Sequence, residues 1–368
     1  MWPVFKKREK FLLLDVSSQK ISGFLISLDD QKKIRKEKSW ENFEKRAASR
    51  SPLAAISAGK VIVSCEPELA FKIFISLSMK RENCDSPIER TELENLMAQA
   101  VSRIFNHYRR EASRVLGVDE LDTILANSEV SGFEIDGHKV INPLGFRPQE
   151  IRAVVKMTFT SRETFERVKS VKKNGDFFFT EKGQSQAAAV EKINSRRADF
   201  LTIGPERSYF YAGDHAGNVR ARREIKWSTG ALTAEIRKNW ALNENAARDV
   251  YEYYANGKTS PLLKKYFGKI FFRPVKELLK QIKSIKTSVK VYVDGNIPLD
   301  LMGISTFQGL PLEGFMQKSG FAVDTAGFAS DSEAFRQFAS FFEFYYDSSD
   351  SEINGWLKRR LNWLGSSV

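Results

Sequence analysis

A short turn near the start of the chain carries an acid and two hydroxyls. Asp15 belongs to an apolar run, and Ser17 and Ser18 follow shortly after it in the polar sequence Ser-Ser-Gln-Lys. Backbone amides in such a turn can surround a phosphate, and a carboxylate beside it can hold a hydrated Mg²⁺. The pattern therefore predicts a phosphate-binding turn, with an ordinary structural hairpin as the alternative.

No other catalytic pattern accompanies this turn in the sequence. There is no Gly-rich loop that ends in Lys-Ser/Thr, no GxGxxG helix start and no catalytic triad. His107, His138 and His215 are far apart, and Cys65 and Cys84 are too few for a zinc site or a disulfide framework. We expect no catalytic residues and no metal site, and we expect a reducing cytosol as the compartment.

The elements that position the turn are predicted to be strands and helices in alternation. Apolar runs at 11–16 and 21–28 predict the two strands of a hairpin, and a chain of 368 residues has room for two or more domains. The fold class is therefore α/β. Further strands are predicted at 60–64, 121–127, 130–135, 151–160, 199–211, 219–227 and 290–293, and helices at about 89–115, 161–171, 184–195, 229–240, 244–255, 274–286 and 333–346.

Positive charge is concentrated in one part of the chain. The formal net charge is +12, from 58 Lys and Arg against 46 Asp and Glu. Between Lys258 and Lys290 ten residues are Lys or Arg, and only Glu277 is acidic. Such a segment predicts a positive surface for an acidic peptide, anionic lipid or nucleic acid, with a solvated helix face as the alternative. Core packing explains the neighbouring aromatic residues, so we expect no nucleic-acid partner.

The C-terminal end changes from an acidic linker to an amphipathic helix. Residues 347–352 are small, polar and acidic, and residues 353–368 follow as a helix with one mostly apolar face. We predict that this helix binds a membrane surface, with docking onto the protein body as the alternative. No segment is long and apolar enough to span a bilayer, and no signal peptide is expected. The residues expected to contact lipid are Ile353, Trp356, Leu357, Lys358, Arg359, Arg360, Leu361, Trp363 and Leu364.

Three segments carry a resemblance to a known family. Leu14-Asp15-Val16-Ser17-Ser18 stands where members open with a phosphate-binding hairpin of the form Leu-Asp-Ile-Gly-Thr/Ser. Asp136-Gly137, then Asn142-Pro143-Leu144-Gly145 and an apolar strand, match the most specific stretch of an inserted domain. The tail helix with Trp356 and Trp363 is the third segment. The sequence resembles the actin-like ATPase superfamily and, within it, the FtsA family of bacterial cell division proteins, over almost the whole chain.

The resemblance implies a two-lobed actin-like fold, related to ribonuclease H. It also implies a small inserted α/β domain of the SHS2 type and a C-terminal amphipathic helix. The implied boundaries are 1–80 for the first lobe, 81–174 for the inserted domain, 175–198 for the return to the first lobe, 199–346 for the second lobe with a small basic subdomain at about 233–288, 347–352 for a linker and 353–368 for the membrane helix.

The resemblance also assigns nucleotide-contacting positions, most of them degenerate. The second phosphate motif becomes Thr202-Ile203-Gly204-Pro205-Glu206-Arg207, and one glycine of an adenine turn is kept in Asp294-Gly295-Asn296. Pro205 lacks an amide, and Glu206 brings negative charge to the place of the phosphates. We therefore expect a pseudo-ATPase that binds ATP and Mg²⁺ weakly or not at all, with another anion held by Arg207 as the alternative. The degenerate nucleotide residues are Asp15, Ser17, Ser18, Gly204, Arg207, Gly230 and Gly295.

The resemblance finally implies a membrane tether for a filament. Its expected partners are an FtsZ-like filament protein with an acidic tail, an anionic membrane surface, other division proteins and further copies of the chain in a polymer. Its expected place is the cytoplasmic face of the cell membrane, as a peripheral protein. One helix binds lipid weakly, so a filament would supply avidity. The alternatives are a PilM-like cytoplasmic adaptor of a type IV pilus or secretion system and an active ATP-binding actin-like protein.

Overall fold

The computed structural model describes the greater part of the chain. The described residues are 8–43, 58–172, 175–194, 199–213, 219–285, 291–295, 297, 307–308, 320–323, 331–347 and 353–357. The chain divides into two compact units. Unit 1 comprises Met1–Ser185, Gly320–Gly327 and Arg336–Val368, and unit 2 comprises Gln186–Ser319 and Phe328–Phe335.

Strands and helices alternate along the described chain, as expected of an α/β protein. Residues 353–357 form a further short helical piece, which we call the tail segment. The strands are β1 (Glu9–Val16), β2 (Ile21–Leu28), β3 (Lys33–Trp40), β4 (Lys60–Cys65), β5 (Ala70–Lys80), β6 (Thr123–Ile135), β7 (His138–Val140), β8 (Glu150–Ser161), β9 (Asp176–Glu181), β10 (Asp199–Ile203), β11 (Ser208–Gly213), β12 (Val219–Ile225), β13 (Val291–Gly295), β14 (Phe307–Gln308) and β15 (Ala322–Val323). The helices are α1 (Arg90–Leu116), α2 (Arg162–Val171), α3 (Lys182–Asn194), α4 (Gly230–Trp240), α5 (Glu244–Ala255), α6 (Pro261–Ile270), α7 (Phe272–Ser284) and α8 (Asp331–Asp347).

The first sheet of unit 1 has six strands in the order β15-β3-β2-β1-β4-β9. β1, β2 and β3 are antiparallel to one another in turn, whereas β4 and β9 run parallel to β1. The residues Phe11 to Leu14 of β1 are all buried, because both faces of the sheet are covered. Phe11 packs edge-on against Phe341 of α8, with 5.1 Å between the ring centroids. Leu12 and Leu14 face the other way, into a core shared with β4.

Unit 2 contains a five-stranded sheet in the order β12-β11-β10-β13-β14. Here too the first three strands are antiparallel, and the last two run parallel to β10. Helices α4 to α7 complete the core, with Phe267 and Phe271 fully buried. The strand order repeats β3-β2-β1-β4-β9 of unit 1. Each unit therefore has its own sheet with the strand order of the ribonuclease H-like fold. This duplication confirms the predicted α/β fold of two related lobes.

A separate antiparallel sheet lies between β4 and β9 in sequence. Its order is β5-β8-β6-β7, and α1 packs against it through Leu93, Met97 and Val101, which recur at helical spacing. We call these elements the inserted domain; that it is of the SHS2 type stays a prediction. The sheet begins with β5 at Ala70, not at residue 81 as predicted, because β5 pairs along its whole length with β8.

The predicted second lobe, 199–346, does not coincide with unit 2. From Arg336 onward α8 belongs to unit 1, where Phe338 is buried and meets β2. The physical cause is the aromatic face of α8, which covers an apolar face of the first sheet. In the other direction, residues 186–198, predicted as part of the first lobe, belong to unit 2.

Candidate functional site

The predicted phosphate-binding turn connects β1 to β2, and its amides already have partners within the protein. The Ser17 amide donates to the carbonyl of Lys20 at 2.9 Å. The hydroxyl oxygen of Ser17 accepts hydrogen bonds from the amides of Gln19 at 3.3 Å and Lys20 at 3.1 Å. An amide that donates to a serine hydroxyl is not free to donate to a phosphate oxygen. Ser17 therefore closes the turn on itself.

A carboxylate lies beside the turn. The Glu66 amide donates to the Val16 carbonyl at 3.0 Å, directly before Ser17. Burial raises the pKa of Glu66; Lys182 opposes the rise and Asp15 adds to it, and the Ser18 amide lowers the pKa by a smaller amount. The ammonium of Lys182 is 2.7 Å from a carboxylate oxygen of Asp15. A phosphate placed here would meet two carboxylates, and one of them already holds the ammonium.

Parallel strands bring these groups to one edge of the first sheet. β1, β4 and β9 end side by side, with Val16 paired to Cys65 and Cys65 paired to Glu181. Glu66 and Lys182 directly follow the ends of β4 and β9. Edges of this kind are where α/β proteins bind ligands. Glu66 and Lys182 were not among the predicted site residues. Their position, directly after an apolar strand, is a sequence signal that could have identified them.

The second predicted phosphate loop, in unit 2, is a tight hairpin between β10 and β11. The Gly204 amide donates to the carbonyl of Arg207 at 3.0 Å, which leaves only Pro205 and Glu206 in the loop. A Cβ at Gly204 would lie 2.6 Å from that carbonyl oxygen, so the close approach requires glycine. Pro205 has no amide to offer a ligand. Gly204 and Arg207 thus form a structural turn.

The N-terminus of α4 also has its amides in use. The amides of Thr229, Gly230, Ala231 and Leu232 all donate to backbone carbonyls, at 2.9 to 3.2 Å. With Thr229 as the N-cap, these four amides are the ones that a helix N-terminus normally leaves for a cap or an anion. The acceptor for Gly230 is the carbonyl of Pro205, so the hairpin takes the place that an anion would need.

Gly295 has a packing role at the end of β13. It pairs with Ile203 of β10, and a Cβ added to it would lie 2.7 Å from the Cβ of Ile203. The predicted nucleotide residues therefore form two groups, and a nucleotide contact for them stays a prediction. The groups are Asp15, Ser17 and Ser18 in unit 1, and Gly204, Arg207, Gly230 and Gly295 in unit 2.

The tail segment packs against the inserted domain. Leu357 is 0% exposed and belongs to the core of that domain, and Ile353 and Trp356 are partly buried against it. The side-chain oxygen of Asn354 accepts from the Val130 amide at 2.8 Å, and its nitrogen donates to the Val130 carbonyl at 3.2 Å. Docking, the alternative considered for the tail, is thus what these residues do here. The other predicted lipid contacts, Lys358, Arg359, Arg360, Leu361, Trp363 and Leu364, lie outside the described residues.

Helices α6 and α7 present the predicted positive surface. Among the described residues of this stretch, Glu277 is the only acid, and two large apolar side chains stand out, Leu262 at 81% and Phe272 at 67% exposure. The ammonium of Lys276 lies over the Phe272 ring at 5.9 Å. We call this the basic surface. Its exposed cations are Lys258, Lys264, Lys265, Lys269, Arg273, Lys276, Lys280 and Lys283.

The described residues hold neither a metal-binding cluster nor a membrane-spanning helix. No three His, Cys, Asp or Glu side chains gather there as a metal ion would require. No helix in the part of the chain that the structure describes is long and apolar enough to cross a bilayer. Burial raises the pKa of the Cys65 thiol well above its usual range, which disfavours the thiolate form.

Similarity to known proteins is confined to solved structures. No protein-family model matches the sequence, and no curated protein matches it. A chain of the PilM-PilN type IV pilus biogenesis complex is 16% identical, with a TM-score of 0.49, and the match covers 93% of this chain and 99% of that one. A Bacteroides thetaiotaomicron protein with an actin-like ATPase fold and unknown function is 11% identical, with a TM-score of 0.41, over 87% and 98%. The apo pSK41 ParM protein is 11% identical, with a TM-score of 0.37, over 93% and 99%.

TM-scores of 0.49 or less do not establish a shared fold, and identities of 16% or less do not establish a shared function. The actin-like architecture rests on the duplicated strand order of the two sheets.

Proposed function

We propose that this protein is a non-catalytic adaptor built on an actin-like fold. The observation that carries the proposal is the internal use of backbone amides at both predicted phosphate loops. The Ser17 hydroxyl accepts from two amides of the first turn, and the four amides from Thr229 to Leu232 at the start of α4 donate to nearby carbonyls. A nucleotide-driven cycle needs such donors for phosphate oxygens. The fold therefore serves to carry binding surfaces.

In its most specific form, the adaptor links an FtsZ-like filament to the cytoplasmic face of the membrane. The basic surface supports a filament contact, because its exposed cations suit an acidic tail peptide. The amphipathic sequence 353–368 supports a lipid contact. Further copies in a polymer, and other division proteins, would strengthen these weak contacts through avidity.

A second candidate is a cytoplasmic adaptor of a type IV pilus or secretion system. The docked tail segment favours it, because Leu357 is buried in the inserted domain and is not available to lipid in this state. Such an adaptor would reach the membrane by gripping the cytoplasmic peptide of a membrane-anchored partner.

Calorimetric titration of the full chain with ATP and Mg²⁺ tests the non-catalytic proposal. We expect no measurable binding, and micromolar affinity would overturn the proposal. Arg207→Ala is the matched variant, titrated with inorganic phosphate beside the parent chain. If Arg207 only closes a hairpin, neither protein binds phosphate; a phosphate affinity lost in the variant would show a rebuilt anion site.

Co-sedimentation separates the two adaptor candidates. The filament tether predicts that the full chain pellets with FtsZ filaments, and that a free FtsZ tail peptide competes for binding. It also predicts pelleting with anionic vesicles that Trp363→Glu abolishes. The pilus or secretion adaptor predicts neither result, and instead predicts binding to a cytoplasmic peptide of a membrane protein.

A further inference from the structure

The tail segment lies in a groove of the inserted domain. One wall of the groove is α1, and another is the loop that follows β7. Ile353 and Trp356 fill part of the space between them, next to the core position of Leu357. The side chains that line the groove include Leu93, Met97, Asn142, Leu144, Ile353 and Trp356.

Asn354 completes an open edge of the inserted sheet. β7 pairs only with Phe133 to Ile135, so Val130 lies on β6 beyond the reach of β7. The N–H and C=O of one strand residue point to the same side, and at Val130 both meet the Asn354 amide. The side chain thus replaces a neighbouring strand at this position. Asn354 and Val130 are both buried, so loss of the amide would leave two backbone groups without a partner.

The same side chains cannot serve the groove and a bilayer at once. Leu357 is fully buried in the inserted domain, and Ile353 and Trp356 are partly buried against it. Insertion into the headgroup region requires that this apolar face be turned towards lipid. Contact with the groove and contact with a membrane are therefore alternative states of the tail.

We propose that the groove of the inserted domain is a docking site for the chain's own C-terminal segment, and that docking withholds the tail from the membrane until it is released. The proposal rests on the proposed membrane tether. The own chain is the occupant because only residues 348–352 separate α8 from the tail segment. Five residues reach at most about 20 Å when fully extended, and α8 ends in the same unit as the groove.

Asn354→Ala tests the proposal without altering a predicted lipid contact. We expect a several-fold larger fraction of the variant than of the parent to pellet with phosphatidylcholine vesicles that contain phosphatidylglycerol. We also expect faster trypsin cleavage at Lys358 to Arg360, measured without lipid. Asn354→Asp keeps the acceptor but cannot donate, so an intermediate effect is expected. The control is Asn245→Ala, at an exposed position of α5.

Each outcome decides a part of the proposal. If both Asn354 variants fold, by circular dichroism, and match the parent in pelleting and in cleavage, the docking role is wrong. If Trp363→Glu abolishes pelleting in the parent and in Asn354→Ala, the released tail is what binds lipid. If no variant pellets while cleavage still accelerates, the membrane tether is wrong but docking stands. Protection from trypsin that grows with protein concentration would identify another copy as the occupant and overturn the assignment to the own chain.

Discussion

Lys72 of β5 and Glu343 of α8 form an ion pair in the interior of unit 1, with 1% and 2% of their side chains exposed. The carboxylate of Glu343 also accepts hydrogen bonds from the hydroxyls of Thr180 and Ser185, each at 2.6 Å. The ion pair thus connects β5 of the inserted domain to α8. Through Thr180 and Ser185 it also connects both to β9 and the start of α3. Because both side chains are buried, each depends mainly on the other for compensation of its charge.

Lys72→Met should therefore be strongly destabilising. Removal of one partner of a buried ion pair typically costs about 3–5 kcal/mol. Lys156 and the hydroxyl hydrogen bonds still stabilise the Glu343 carboxylate, so the lower end of this range is expected. Chemical denaturation followed by circular dichroism should show a clear drop in the unfolding midpoint. Lys80→Met, at the exposed end of the same strand, is the control. The double variant Lys72→Met/Glu343→Gln should recover part of the loss; equal midpoints for Lys72→Met and the control would contradict the prediction.

The ion pair should also make the free energy of unfolding depend on pH. Burial alone would raise the pKa of Glu343, but Lys72, Lys156 and the hydrogen bonds lower it from 4.5 to about 2. A lowered carboxyl pKa in the folded state contributes stability above the unfolded value, and that contribution is lost as the pH falls towards the folded value. The unfolding midpoint should thus decline between about pH 4.5 and 2. Glu343→Gln should show a shallower decline over this range, and an identical slope would refute the assignment.

Ser17→Gly should loosen the first turn without creating a nucleotide site. The variant frees the amides of Gln19 and Lys20 and loses hydrogen bonds worth about 1 kcal/mol each. Glu66 and Asp15 remain beside the turn and repel phosphate. Thermal unfolding with and without ATP and Mg²⁺ should show a lower midpoint and no nucleotide-induced shift. A shift in this variant, absent in the parent chain, would mean that Ser17 alone closes the site.

The basic surface should bind acidic peptides in a manner that depends on salt. Lys265 and Lys269 lie one turn apart on α6 and are both exposed. The double charge reversal Lys265→Glu/Lys269→Glu should weaken binding of a fluorescent acidic peptide, most at low ionic strength. Arg103→Glu/Arg114→Glu on α1 carries the same change of net charge on another surface. Equal losses for both pairs would show that only net charge matters.

The sequence was sufficient for elements with a strong local signal. The hairpin of β1 and β2 and the helix α5 were predicted, and Asn243 caps α5 by accepting from the Ala246 amide at 2.9 Å. β3 was missed, because Lys33 to Trp40 is rich in charge and has no apolar alternation. It forms because β2 and β15 offer it backbone partners on both sides. That support comes from distant parts of the chain.

For the candidate site, the sequence is informative only where the chemistry belongs to single residues. The missing amide of Pro205 and the negative charge of Glu206 predict a poor phosphate loop, and this stays a prediction. The position of Glu66 and Lys182 beside the first turn depends on which parallel strands lie side by side, and no local sequence pattern predicts that order. The tail was ambiguous for a different reason, since an apolar helix face suits a bilayer and a groove equally. The open β6 edge, which receives Asn354, is a property of the folded sheet.

The open edge of β6 also affects how the protein behaves after proteolysis. β6 is 13 residues long, and β7 pairs with only its last part. An uncovered strand edge is a template on which another extended chain can form hydrogen bonds, which is how folded proteins begin to aggregate. A protease cut between α8 and the tail segment would let the segment dissociate, and Val130 would then lose its hydrogen-bonding partner. We expect the nicked protein to be prone to self-association through its sheet, although every residue of β6 is intact.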